Sequence, residues 1–260
     1  MNYLENYYSA YDEEGRLLSQ HGQVEYITTR KYIQACLGSL QDTKILEIGA
    51  GTGRYSVSLA KEGYDVTAVE LIEHNITCLK QKLDGTERIR VMQGNALDLS
   101  ALKENSFDVT LLLGPMYHLY TKAEKVQALS EAVRVTKPNG YILVAYCMNE
   151  PTVVQFVFGR NKLHDVMENH MLTDDWHCIS RPQDLFEMIR TEEIEELNRT
   201  VGVSRVKLVA TDGATNYMRD TVDAMDKETF EKWVAYHLTT CERQDLIGAS
   251  HHTLDILRKK

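Results

Sequence analysis

The stretch KILEIGAGTGRYSVSLA, residues 44–60, restricts this chain more than any other part of it. Five residues of buried-strand character run into Gly49, Gly51 and Gly53, and a helix is expected from about Arg54. Glycines allow a tight turn and let a ligand approach the backbone. A helix start directly after them offers N–H groups to a carboxylate or phosphate. Strand, glycine turn and helix in that order open an α/β unit that can hold a ligand. The glycines alone also fit a plain tight turn in some other α/β protein, so the surrounding residues have to decide.

The chain continues in the same rhythm. Apolar runs rich in Val, Ile and Leu at 44–48, 65–69, 88–92, 107–113 and 140–146 alternate with helix-like stretches at 54–62, 73–83 and 122–136. Strands buried on both faces read as such runs, and alternating helices cover a parallel sheet. After Met148 the rhythm breaks. Residues 151–200 read as largely helical, 203–211 as a strand, 214–240 as a mainly helical insertion and 252–259 as a closing strand. The last two strands are expected to complete the sheet in antiparallel fashion. The first forty residues read as helices, with Val24, Ile27, Tyr32, Ile33 and Leu37 partly at helical spacing.

Composition narrows the function classes. A chain of 260 residues that is 43% hydrophobic can bury a full core. No apolar run approaches the roughly 20 residues of a membrane span. The aromatic and acidic start MNYLENYYSAYDEEGRLL is unlike a signal peptide, so a cytoplasmic location is expected. A formal net charge of -9 disfavours binding nucleic acid through its phosphates. Cys36, Cys78, Cys147, Cys178 and Cys241 are scattered, with no CxxC pair, as reduced thiols are. His164, His170 and His177 fit no compact zinc spacing, and no metal is expected.

Two details sharpen the loop. Its spacing is G-x-G-x-G, whereas dinucleotide binders usually show G-x-G-x-x-G. Glu47 also stands two residues before the first glycine, where a carboxylate can organise a cationic amino group. ILEIGAGTG thereby resembles, at every position, the first motif of the class I S-adenosylmethionine-dependent methyltransferases, E/D-x-G-x-G-x-G. The resemblance covers about residues 40–147, and the closing strands more loosely. It implies a Rossmann-like α/β fold, a seven-stranded and mostly parallel sheet with helices on both faces. S-adenosyl-L-methionine is the implied cofactor, its methionine and ribose parts lying over Glu47, Gly49, Ala50, Gly51 and Gly53.

Three more segments match in order. Glu70 stands near the end of the run DVTAVEL, where family members bind both ribose hydroxyls, and Leu71 after it would pack on adenine. A carboxylate accepts two donors at once, but the same residue suits an NAD enzyme. In QGNALDLS the family's adenine-reading carboxylate is replaced by Asn95, whose amide oxygen still accepts a hydrogen bond. Ala96 would contribute backbone, and Asp98 is read as a local turn or cap residue. In FDVTLLLGPMYHLYTK, Leu113 and Gly114 would place carbonyls near the cofactor's amino group, with Tyr117 and His118 near the reacting methyl. The signature [DN]-P-P-[FYW] of exocyclic-base methylation is absent. Pro138-Asn139-Gly140 reads as the turn before the fifth strand.

Methyl transfer is an in-line displacement, so alignment of the reacting atoms does much of the work. Some neutral acceptors also have to lose a proton, and His118 is the candidate base. Tyr7, Tyr8, Tyr11, Arg16 and His21 are candidates for lining the acceptor pocket, or for packing a helix onto the core. The expected organisation is N-terminal helices over the site at 1–40 and a methyltransferase domain at 41–260, with cap insertions about 150–200 and 212–250. The leading functional reading is methylation of a small-molecule acceptor. The alternatives are a protein or RNA acceptor, a non-catalytic S-adenosylmethionine-binding regulator and, disfavoured by Glu47 and the glycine spacing, an NAD oxidoreductase. The oligomeric state stays open.

Overall fold

A computed structural model describes residues 3–10, 18–39 and 41–260. Tyr11 and Arg16, named above as candidates, lie outside the described residues. Seven strands make one continuous sheet: β1 (Lys44–Ile48), β2 (Asp65–Glu70), β3 (Ile89–Gln93), β4 (Phe107–Leu112), β5 (Thr136–Met148), β7 (Ser204–Ala210) and β8 (His252–Arg258). Their order is β3-β2-β1-β4-β5-β8-β7. The first five run parallel, and β8 is antiparallel to both β5 and β7. An unforeseen two-residue strand, β6 (Met188–Ile189), pairs with Cys147 and Met148 at the end of β5. Two residues carry no periodicity, so no sequence pattern announces it.

Alternation along the strands divides the core between the two faces. Leu46, Ile48, Leu112, Val144 and Tyr146 pack with helix α5 (Lys122–Val135) and helix α6 (Thr191–Val201). Ile45, Val66, Val109, Leu111 and Leu143 pack with α2 (Gln20–Cys36) and α3 (Arg54–Lys61). Helix α5 starts on a capping box, Thr121 with Glu124, which fixes where the chain turns back after β4. The Pro138-Asn139-Gly140 feature lies within β5 instead of before it. Asn139 takes a φ of 63° there, and the pairing of β4 with β5 shifts register around it.

Residues 151–200 are less helical than their sequence suggests. Helical turns occupy Asn149–Thr152, Val153–Phe158 and Leu163–Glu168, and a largely irregular stretch then leads to β6. Val153, Val157 and Val166 form a small core of their own. Further helices are α1 (Tyr3–Ala10), α4 (Glu73–Gln81) and α7 (Lys227–Thr240), with short ones at Arg219–Asp223 and Gln244–Ile247. Among the described residues, no helix is long and apolar enough to cross a membrane.

Candidate active site

At the carboxyl ends of β1, β2 and β4, where open α/β sheets bind ligands, lies a cavity of about 430 Å³. Its wall includes Glu47, Gly49, Ala50, Gly51, Glu70, Leu71, Asn95, Ala96, Leu113 and Gly114. Gly53, expected beside them, does not reach the cavity. It adopts a φ of +85° as the residue before α3, and a Cβ there would sit 2.6 Å from Leu79 Cγ. Gly53 therefore serves close packing of α3 against α4. Gly51 is different: its φ is +55°, and a Cβ would meet nothing within 4 Å. The loop leaves open space at that point, which only a residue without a side chain preserves.

Glu70 is buried and ties the loops together. Its Oε2 accepts from the Gly51 N–H at 2.8 Å, and its Oε1 from the Ile72 N–H at 2.9 Å and Asn75 Nδ2 at 3.3 Å. A carboxylate has about four acceptor positions, so capacity remains for a ligand hydroxyl. Leu71, beside it, is 39% exposed although it lines the cavity, an apolar surface that the protein leaves uncovered. Glu47 is fully enclosed at the base of the loop and accepts from the Ser56 N–H at 2.8 Å. Burial pushes its carboxyl up to about 8. Asn95 uses its amide oxygen to accept from the Leu97 N–H at 3.0 Å, and Asp98 accepts from the Ser100 N–H at 2.9 Å, the local turn role expected of it.

Past β4, a 3-10 turn (Pro115–His118) carries the loop around the cavity. The Tyr117 hydroxyl donates to the Leu113 carbonyl at 2.8 Å. His118 has both ring nitrogens engaged. Nδ1 lies 2.8 Å from the Leu185 carbonyl, which can only accept, so the proton sits on Nδ1. Nε2 then accepts from the Tyr8 hydroxyl at 2.9 Å. Burial lowers the ring's pKa, which favours the neutral form, and the Leu185 carbonyl opposes this only partly.

A second cavity of about 170 Å³ shares Tyr8, Glu25, Tyr117 and His252 with the first. Tyr7 and Phe186 form part of its aromatic wall, their rings edge to face at 5.8 Å. Glu25 from α2, Asp212 after β7 and His252 at the start of β8 were not singled out from the sequence. They are 40 or more positions apart except where the fold joins them, and His251-His252 carries no spacing signal of its own. Of the aromatic residues of the insertions, Phe186 lines the smaller cavity, whereas Phe156, Phe158, Trp176, Tyr217 and Trp233 line neither.

The parts define a nucleotide-type site: an open parallel sheet, a glycine loop with space above it, an acidic residue ending β2 and an uncovered apolar residue after it. These features fit S-adenosylmethionine, the cofactor expected from the sequence. The sequence profile of a family described as "Methyltransferase domain" matches residues 46–144. Residues 46–144 thus form a methyltransferase domain, in keeping with the resemblance to the class I S-adenosylmethionine-dependent methyltransferases. It is similar to YqeM of Bacillus subtilis, 29% identical over 52% of this chain and 51% of that protein. It is also 27% identical to a demethylmenaquinone methyltransferase of Clavibacter sepedonicus over 87% of this chain and 76% of that protein. The match thus spans about half the length of the first relative and three quarters of the second. A geranyl diphosphate C-methyltransferase from Streptomyces coelicolor, solved with Mg2+, geranyl diphosphate and S-adenosyl-L-homocysteine, shares the fold. Its TM-score is 0.59 at 14% identity, over 90% of this chain and 81% of that one.

Proposed function

We propose that this chain transfers a methyl group from S-adenosylmethionine to a small molecule enclosed in the smaller cavity. One observation carries the reading: the cavity lined by the predicted cofactor residues opens, through four shared side chains, onto a second cavity walled mainly by aromatic and polar groups. Small-molecule sites are concave, largely apolar and equipped with a few placed polar groups. The names of the two relatives above that state an acceptor, demethylmenaquinone and geranyl diphosphate, are both of small molecules.

Bound S-adenosylmethionine supplies a methyl group on a positively charged sulfur. Glu70 would hold a ribose hydroxyl, Leu71 the adenine face, and Glu47 would set negative charge beneath the loop, opposite the cofactor's cationic groups. The Leu113 carbonyl, which already accepts from Tyr117, and Asn95 would receive the amino groups. His118 acts through Tyr8: its Nε2 fixes the phenol on the wall between the two cavities. Tyr8 is then the group facing the acceptor, and His118 is its positioning residue. Helix α1, the Pro182–Phe186 segment and Asn216 with Arg219 supply further wall residues, and in this reading they form the cap that keeps water from the reacting methyl.

The test is incubation with S-adenosylmethionine and a panel of small phenols, amines and thiols, scored by mass spectrometry for one added methyl and for S-adenosylhomocysteine. Methylation within that panel supports the proposal. Turnover only with protein or RNA substrates, or cofactor binding without turnover on any acceptor, would contradict it.

A further inference from the structure

The junction of the two cavities holds an ion-pair cluster that cofactor binding does not use. Asp212 is buried and fully engaged. Its Oδ1 accepts from Ser250 Oγ at 2.6 Å and the His252 N–H at 3.1 Å, and its Oδ2 from Asn216 Nδ2 and His252 Nδ1, the latter at 2.7 Å. Four donors exhaust the carboxylate's acceptor positions. The cluster is thus already engaged in hydrogen bonds. What it does is fix one ring.

That ring is His252, which lines both cavities and has 24% of its side chain exposed. With Nδ1 given to Asp212, Nε2 is the ring's remaining polar atom, and it has no hydrogen-bond partner among the described residues. Burial opposes a charged ring here, but Glu25, Cys147 and Asp212 outweigh it and hold the pKa of His252 well above the usual histidine range. The imidazolium therefore offers an Nε2–H donor to the cavities. The other charges around it are few. Glu25 Oε2 lies 3.6 Å from Nδ1, and Arg219 shares the smaller cavity, its Nε on Asn216 Oδ1 at 2.6 Å. Burial keeps the neighbouring His251 neutral, at about 4, and His21 is paired with Asp223.

Across from these groups the wall is aromatic. Phe186 packs edge to face on Tyr7 at 5.8 Å and lies 6.0 Å from the Tyr117 ring. A cavity of about 150 Å³ holds a benzene ring, and this one is about 170 Å³. We propose that the acceptor is a hydroxy-aromatic molecule whose oxygen, held as an oxyanion by the Nε2–H of His252, attacks the methyl group, Asp212 being the positioning residue for His252. The acceptor's hydroxyl proton leaves to solvent on binding. A lone pair of the oxygen then forms the O–C bond, and the bonding pair of the broken C–S bond stays on sulfur, which becomes neutral. An imidazolium is a poor base and a good partner for an oxyanion, so the arrangement lowers the acceptor's pKa without needing a general base.

The proposal rests on the larger cavity being the cofactor site, and the two are tested separately. Calorimetry with S-adenosylhomocysteine reads the first; its failure to bind would remove both. The second is read on the S-adenosylhomocysteine-loaded protein with 4-nitrophenol as probe, whose phenolate absorbs at longer wavelength than the phenol. Saturable binding is expected, with the bound probe titrating roughly 1–3 pH units below the free one. His252→Gln keeps a donor and removes the charge, and should return the titration towards that of the free probe by about tenfold in the phenolate ratio or more. Glu25→Gln removes a charge that keeps His252 protonated and should move it the same way by a smaller amount. Near-ultraviolet circular dichroism reports the fold of each variant, and Glu25→Gln keeps the test decisive if His252→Gln does not fold. No saturable binding, a bound probe that titrates like the free one, or no effect of either variant would overturn the proposal. So would preferential binding of benzylamine that is lost in Glu25→Gln.

Discussion

Replacing Gly51 and Gly53 one at a time by alanine should separate binding from folding within a single loop. Both glycines have positive φ, +55° and +85°, so each substitution carries about 1–2 kcal/mol of left-handed strain. At Gly51 the new methyl meets nothing within 4 Å, so strain is the whole stability cost. For a chain of this size that lowers Tm by about 2–8 °C. At Gly53 the methyl would sit 2.6 Å from Leu79 Cγ and 2.8 Å from Val57 Cγ2. Overpacking of that kind adds about 1–3 kcal/mol, for a total of about 2–5 kcal/mol and a Tm lower by about 4–20 °C. Binding should show the reverse order. The Gly51→Ala methyl fills the space left for the ligand and should weaken S-adenosylhomocysteine by at least about tenfold, or about 1.4 kcal/mol. Gly53→Ala, measured well below its Tm, should bind within a few fold of wild type. Thermal denaturation and isothermal titration calorimetry make the comparison. Wild-type affinity in Gly51→Ala, or lost affinity with an unchanged Tm in Gly53→Ala, would refute the assignment of the two positions.

Other outcomes follow from the same geometry. Glu70→Ala removes a prospective charged hydrogen bond to the cofactor and should weaken binding by roughly 1.5–3 kcal/mol, about tenfold to a hundredfold, whereas Asp98→Ala should change it little; equal losses in two folded variants would contradict this. Glu47, raised by burial from 4.5 to about 8, binds more protons folded than unfolded, so its contribution to stability is full below about pH 4.5 and is lost as pH rises towards 8. The cationic cofactor favours the carboxylate, so its affinity should rise over the same window with release of protons, seen calorimetrically as a dependence on buffer ionisation enthalpy and absent in Glu47→Gln. His118→Ala and Tyr8→Phe should reduce turnover to similar extents and combine with little further loss, because they act as one unit; a much larger loss in His118→Ala would make His118 itself the proton acceptor.

The sequence announced the parts of the fold that have a period. Runs of Val, Ile and Leu marked β1 to β5, β7 and β8 to within a few residues, because strands buried on both faces have little freedom of composition. The loop residues from Glu47 to Gly51, with Glu70 and Leu71, were legible because their chemistry is compressed into short motifs. Gly53 was misplaced because a motif gives spacing and not the direction in which an absent Cβ would point. His118 was found as a residue near the cavity, but its engagement by Leu185 and Tyr8 depends on segments 67 and 110 positions away. Glu25, Asp212 and His252 were invisible for the same reason: α2, the end of β7 and the start of β8 meet only after the sheet has closed. Most aromatic residues of the insertions serve their own packing, Phe158 against Trp176 and Trp233 donating to Thr215, and of the insertion aromatics Phe186 reaches the smaller cavity.

The most direct measurement of the central claim is parallel calorimetric titration of the protein with S-adenosylhomocysteine and with NAD. The geometry of Glu47, Gly51, Glu70 and Leu71 predicts saturable one-site binding of S-adenosylhomocysteine, weakened strongly in Glu70→Ala, and no appreciable heat from NAD. Saturable binding of NAD without binding of S-adenosylhomocysteine would contradict the account.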